Sequence, residues 1–192
     1  MNNTVELDGF SIKNNFKTDV KGKGKFAEND FIDYFNSKDK NKDKSLLDVR
    51  ELPEYQKIDI DFIIDNEGGT DIPTIKETLL NEERYLKIEV KFNSPALRTG
   101  KIAFEVVSHS SRGWGMTSQC DYFYVVFGDE IGKNKYTINK RALISLSRWK
   151  DFIDDKLNRR ELYYNKDENG IVNIMTYIDD MEKKNVLKYL YV

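Results

Sequence analysis

The chain carries one cysteine, Cys120, and one histidine, His109, in 192 residues. A lone cysteine excludes an internal disulfide and the usual cysteine-based zinc sites. A lone histidine excludes histidine-rich metal sites and makes a Ser-His triad depend on that single residue. Any bound metal would therefore have carboxylate ligands, which means a hard cation, Mg2+ or Mn2+. No window approaches the roughly 18 apolar residues that a membrane span requires. The opening MNNTVELDGF lacks the charged-then-apolar pattern of a signal segment. A cytoplasmic protein with no membrane partner is expected. Neither sign of charge dominates: the net charge is -2 with 33% charged residues. That balance counts against general polybasic binding to nucleic acid, because phosphate affinity comes from clustered Lys and Arg. Two local basic runs remain, KGKGK at 21–25 and KDKNKDK at 38–44, and both read as solvated loops.

What is present is a globular composition, 39% apolar and 12% aromatic, at a length that suits one domain. The expected division is a core over about 24–155 and a C-terminal extension over about 156–192. Residues 1–23 read as an arm or short strand. In KFAENDFIDYFNSK, the spacing of Phe26, Phe31, Ile32 and Phe35 predicts a helix over about 25–37, with acids early, where the helix dipole favours them.

Three strand signals follow. In KIDIDFII, Ile58, Ile60, Phe62 and Ile64 alternate with Asp59 and Asp61. In YLKIEVKFN, Leu86, Ile88, Val90 and Phe92 alternate with Glu89 and Lys91, and in KIAFEVVS, Ile102, Phe104 and Val106 alternate with Ala103, Glu105 and Val107. The short connection NSPALRTG predicts an antiparallel meander through the second and third of these. A glycine turn, a strand in DYFYVVF, and a helix over about 139–155 with Leu143, Leu146, Trp149 and Ile153 in its stripe come next. Strand-like YTIN, ELYYN and IVNIMTYI and a small final helix complete an α/β chain of order αβββαβ.

Buried unpaired charge is costly, so carboxylates and an ammonium on neighbouring strands persist when they pair with each other or with an ion. The acidic DID at 59–61, the EVK at 89–91 and the preceding AENDF at 27–31 resemble the PD-(D/E)XK nuclease superfamily. TGKIAFE at 99–105, GW at 113–114 and TSQCDY at 117–122 are similar to a group of phage-type and restriction-type members. The resemblance covers about residues 27–127. It implies a restriction endonuclease-like core, a mixed central β-sheet flanked by helices, and a Mg2+- or Mn2+-dependent nuclease that hydrolyses phosphodiester bonds in DNA.

By the same resemblance, Asp61 and Glu89 hold the metal and Lys91 is the catalytic lysine. The proline that usually precedes the first acid is missing, so Asp59 also stands as a ligand, with Asp61 preferred. Glu28 corresponds to a helix acid that holds a second ion or a water, or it is a helix N-terminal charge. Glu105 widens the acidic cluster or pairs with Lys91 or Arg112, and Ser108 and Gln119 take positions of substrate-contacting groups. A homodimer is a further expectation, since such nucleases often cut both strands as dimers. An alternative from another class is a nuclease fold without catalysis that binds nucleic acid or a host protein. A third is a sheet face whose charges pair only with each other. Trp114 and the run from Tyr122 to Tyr124 read as core packing rather than a base-stacking platform.

Overall fold

Every residue from Phe123 to Phe127 is buried, on both faces of its strand, so this segment demands a covering layer on each side. The computed structural model describes residues 5–7, 10–12, 19–108, 111–167 and 169–191, with side chains from residue 22 onward. His109 lies outside the described residues. The chain opens with a hairpin of β1 (Val5–Leu7) and β2 (Phe10–Ile12), then helix α1 (Asp19–Asn36). Next come β3 (Ser45–Asp48), α2 (Pro53–Gln56), β4 (Phe62–Asp65), α3 (Ile75–Leu80) and β5 (Tyr85–Asn93). The middle comprises α4 (Ala96–Thr99), β6 (Lys101–Ser108), β7 (Ser111–Arg112), α5 (Trp114–Thr117) and β8 (Tyr122–Phe127). Then follow β9 (Glu130–Gly132), β10 (Lys135–Tyr136), β11 (Lys140–Ser145) and α6 (Leu146–Asn158). The chain ends with β12 (Tyr163–Lys166), β13 (Val172–Tyr177), α7 (Ile178–Lys183) and β14 (Leu187–Leu190).

The result is a mixed α/β fold. Its central six-stranded sheet has the order β14, β11, β8, β5, β4, β3. β5 and β8 run parallel, and all other neighbours in that sheet are antiparallel. A four-stranded antiparallel sheet, β12, β13, β6, β7, lies in a second layer. On one face of the central sheet, Ala27 and Phe31 of α1 pack on Phe62, Ile88, Val90, Tyr124 and Val126. On the other, Ile63, Phe123, Val125 and Ile144 meet Phe104 of β6 and Trp149 of α6. Helix α1 is also tied down by charge: Arg141 grips Asp30 through two hydrogen bonds of 2.7 and 2.9 Å, and the Tyr124 hydroxyl donates to Asp30 at 2.8 Å.

Several sequence expectations shift. The strand expected at 101–107 keeps its alternation, with Ile102 and Phe104 buried, but it does not join the meander. β4 takes one edge of β5 over Tyr85–Ile88 and β8 takes the other over Ile88–Asn93, and β6 belongs to the second sheet. NSPALRTG forms α4 instead of a hairpin turn, closed by Gly100 in the left-handed region at φ 68°, and β6 pairs with β13. The meander is β3, β4, β5, and its first member, SLLD, carries too short an apolar pattern to announce itself. KGKGK lies within α1 and not in a loop. Residues 140–145 form β11, and α6 starts only at Leu146, because Ala142 and Ile144 fill the core between β8 and β14. After α7, the segment LKYL adds the edge strand β14.

Candidate functional site

β4 pairs with β5 from Phe62 opposite Ile88 to Asp65 opposite Tyr85, whereas β5 continues to Asn93 with only β8 beside it. Asp61 stands where the two strands part. Its N–H donates to the Ile88 carbonyl at 2.9 Å, and its carbonyl accepts from the Val49 N–H at 3.0 Å. Its Oδ2 then accepts from the Val90 N–H at 2.7 Å. A side-chain carboxylate thus takes the hydrogen bond that a continuing strand would have taken, which fixes the rotamer of Asp61 and leaves Oδ1 free of that bond.

Alternation along β5 sends Ile88, Val90 and Phe92 toward α1, and Lys87, Glu89 and Lys91 toward the second layer. Glu89 is 6% exposed and forms an ion pair with Lys91. The Lys91 ammonium sits 4.8 Å from the centre of the Trp114 ring, a cation–π contact. Burial, reinforced by Asp61 and Asp59, pushes the Glu89 carboxyl up to about 7 against the pull of Lys91. Burial likewise raises Asp61 to about 6, against the Val90 hydrogen bond and Lys91, with Glu28 adding to the rise. Burial opposes the charge on Lys91, but Glu89, Asp61 and Asp59 outweigh it and hold the ammonium protonated.

Asp59 belongs to this group by a different route from the one its strand pattern implied. It adopts the left-handed region at φ 53°, which aspartate tolerates better than most residues, and this bend delays the strand until Phe62. Thr117 Oγ1 donates to Asp59 Oδ2 and Ser118 Oγ to its carbonyl, both at 3.3 Å. Gln119, an exposed side chain, is placed next to it, since its N–H donates to the Ile58 carbonyl at 3.0 Å. Burial raises the Asp59 carboxyl as well.

Glu28, on α1, faces the same crevice and acts electrostatically on Asp61, but it is held by Arg50, which also grips Asp48 and lies 4.8 Å from the Phe62 ring centre. With Lys91 paired to Glu89 and Arg50 to Glu28, the negative charges of Asp59 and Asp61 stand in excess.

The remaining candidates are not brought into this group. Glu105 lies on the second sheet opposite Asn173 and makes no ion pair with Lys91 or Arg112 among the described residues. Arg112 is exposed at the β6–β7 hairpin, where Ser108 pairs with Ser111. Trp114 packs on Phe104 and Phe123 with centroids 5.6 and 5.3 Å away, as core packing implied, with the contact to Lys91 added. The glycine before it has a steric reason: a Cβ on Gly113 would lie 2.5 Å from the Glu105 carbonyl oxygen.

Three groups escaped the sequence reading. Arg50 gave no signal. Lys87 did, since it shares the alternation of Glu89 and Lys91. It is 2% exposed and meets Asp121 Oδ1 at 3.2 Å, while its N–H donates to Asp121 Oδ2 at 2.7 Å. Asp121 was visible only as part of the TSQCDY motif. Next to it the Cys120 thiol is buried and pushed up to about 12 by that burial, so it is not a nucleophile near neutral pH.

Among the described residues no three His, Cys, Asp or Glu side chains converge into a ready-made cage for a metal ion. Magnesium does not require one: it is usually bound through one or two carboxylates together with waters and substrate phosphates. The donor set of Asp61 and Glu89, oxygen ligands in a crevice with excess negative charge, fits such a cation. Among the described residues no helix is long and apolar enough to cross a membrane. No family model, curated protein or solved structure matches the chain.

Proposed function

We propose that the crevice between β4 and β5 is the centre of a Mg2+- or Mn2+-dependent nuclease that hydrolyses phosphodiester bonds in DNA, on a restriction endonuclease-like core. The observation that carries this reading is the mutual placement of Asp61, Glu89 and Lys91. One buried and one half-buried carboxyl, both with raised pKa values, stand beside one protonated ammonium, at the point where neighbouring strands separate. Pairing and burial act in opposite directions: the Arg84 guanidinium holds the Asp65 carboxyl below its ordinary range, while burial outweighs the pairing of Asp121 with Lys87 and raises it. The shifts at Asp61 and Glu89 show that burial outweighs the one ammonium they share, so a further positive charge would stabilise both carboxylates. Leaving aside α2, α3, α4 and the second-sheet strands β6 and β7, the chain runs α1, β3, β4, β5, α5, β8, which supports an αβββαβ core with β3 in place of the strand expected at 101–107.

When bound, the cation would polarise the phosphate and acidify a water. Asp61 and Glu89 would hold it, Asp61 with its rotamer fixed by the Val90 N–H. Lys91 would donate hydrogen bonds to the attacking water or to a phosphoryl oxygen and offset the charge that develops there. The Trp114 ring limits the positions open to its ammonium. Thr117 donates a hydrogen bond to the Asp59 carboxylate, on which Lys91 also acts electrostatically.

Thermal unfolding in a manganese titration tests the cation site directly. At a hundredfold excess over the dissociation constant, a ligand adds about 2.7 kcal/mol, which for a chain of this size raises the melting temperature by about 5 to 10 °C. The wild type is expected to show this rise, and Glu89→Gln and Asp61→Asn to lose it. An equal rise in all three proteins would place the cation elsewhere.

A further inference from the structure

Two lysine-bearing segments far apart in the sequence, KGKGK at 21–25 and GKNKY at 132–136, meet beside α1. Gly22 approaches the β9–β10 hairpin so closely that a Cβ there would lie 2.7 Å from the Tyr136 hydroxyl and 3.2 Å from Asn134 Oδ1. The Tyr136 ring packs on Phe26 of α1 at 5.2 Å and on Phe92 of β5 at 5.5 Å between centroids. Asn134, in the left-handed region at φ 58°, closes the hairpin turn. The hairpin is therefore anchored by aromatic packing to the helix and to the residue that follows Lys91.

Lys25, Lys133 and Lys135 are exposed and make no ion pair among the described residues. Lys23 is held by Glu130 at 3.3 Å, and Asp129 at the hairpin base accepts from Asn139 at 2.9 Å. In a chain with net charge -2, three exposed lysines without ion pairs among the described residues thus flank the contact between α1 and the β9–β10 hairpin.

We propose that this surface docks the phosphate backbone of DNA. The inference deepens the phosphodiester reading of the crevice, on which it rests for the identity of the partner: the hairpin beneath this surface packs on Phe92, whose side chain faces α1 and which follows Lys91 in β5. Lysine ammonium groups recognise phosphates as point charges without reading sequence, and their affinity comes from counterion release.

The test is fluorescence anisotropy with a short labelled DNA duplex over a range of salt. It is carried out in chelator and on a Lys91→Ala background so that nothing is cut. Changing Lys25, Lys133 and Lys135 together to alanine is expected to weaken binding about tenfold or more. The slope of log affinity against log salt should become shallower by about three, near one for each lysine. An unchanged affinity and slope would overturn the proposal, as would binding to phosphatidylserine vesicles with none to the duplex. Lysine-dependent binding without metal-dependent cleavage in the parent protein would leave the surface standing and remove the nuclease reading. Cleavage that needs Lys91, with binding indifferent to the three lysines, would do the reverse.

Discussion

Replacing Asp30 by alanine is expected to cost the fold about 3 to 5 kcal/mol, the range for a buried ion pair that loses one partner. Asp30 is 8% exposed and joins three elements: its carboxylate on α1 receives the Arg141 guanidinium from β11 and the Tyr124 hydroxyl from β8. Burial, and then the Asp30 carboxylate itself, push the Tyr124 hydroxyl far above its ordinary range, so it stays a donor at any physiological pH. With alanine at position 30 the guanidinium and the phenol keep their burial and lose their acceptor. Phe31 remains, with ring centroids 4.9 Å from Tyr124 and 5.1 Å from Phe62, so α1 should loosen without detaching. Urea unfolding, monitored by circular dichroism, measures the loss. A change below about 1 kcal/mol, the usual value of an exposed pair, would show that α1 is held by its apolar face alone.

The second large effect has the opposite sign. Asp61→Asn is expected to stabilise the metal-free protein near neutral and alkaline pH while removing activity. Burial raises the Asp61 carboxyl from 3.8 to about 6, so the folded protein holds this proton more tightly than the unfolded chain. The stability tied to that proton is fully present below about pH 4 and is lost as pH rises to about 6. Roughly two pKa units at about 1.4 kcal/mol each put the loss on the order of 3 kcal/mol. Glu89, raised from 4.5 to about 7, carries the same trend to higher pH. Asparagine cannot ionise and still offers an oxygen to the Val90 N–H. A gain of about 1 to 3 kcal/mol is therefore expected at about pH 8, and none at about pH 4. Urea unfolding in chelator at the two pH values checks this. Destabilisation at the higher pH would mean that Asp61 is an ordinary paired carboxylate.

The residues of the crevice were more legible than the sheet that positions them. Glu89 and Lys91 could be read because alternation along one strand is a local property, and YLKIEVKFN obeys it. KIDIDFII misled at its start, since the left-handed Asp59 breaks the alternation before Phe62, a conformation that no spacing encodes. Sheet membership was harder still. Whether KIAFEVVS pairs with β5 or with β13 depends on which edges are already occupied, and β13 lies some seventy residues later. Arg50 was invisible for the same reason: it meets Glu28 across the gap between α1 and the end of β3, a contact that exists only once both have packed. The short SLLD gives no signal because four residues carry little periodicity, yet it supplies the outer strand of the meander.

The most direct test of the central claim is cleavage of supercoiled and linear DNA with magnesium or manganese, comparing the wild type with Lys91→Ala and with a chelator control. The expected result is cutting that requires the metal and falls by about a hundredfold or more in the variant, in line with the loss of one electrostatic stabiliser of the transition state. Cutting that survives in Lys91→Ala, or in chelator, would contradict the assignment of the crevice. No cutting by the wild type under any of these conditions would replace the nuclease with a nuclease-like binding module.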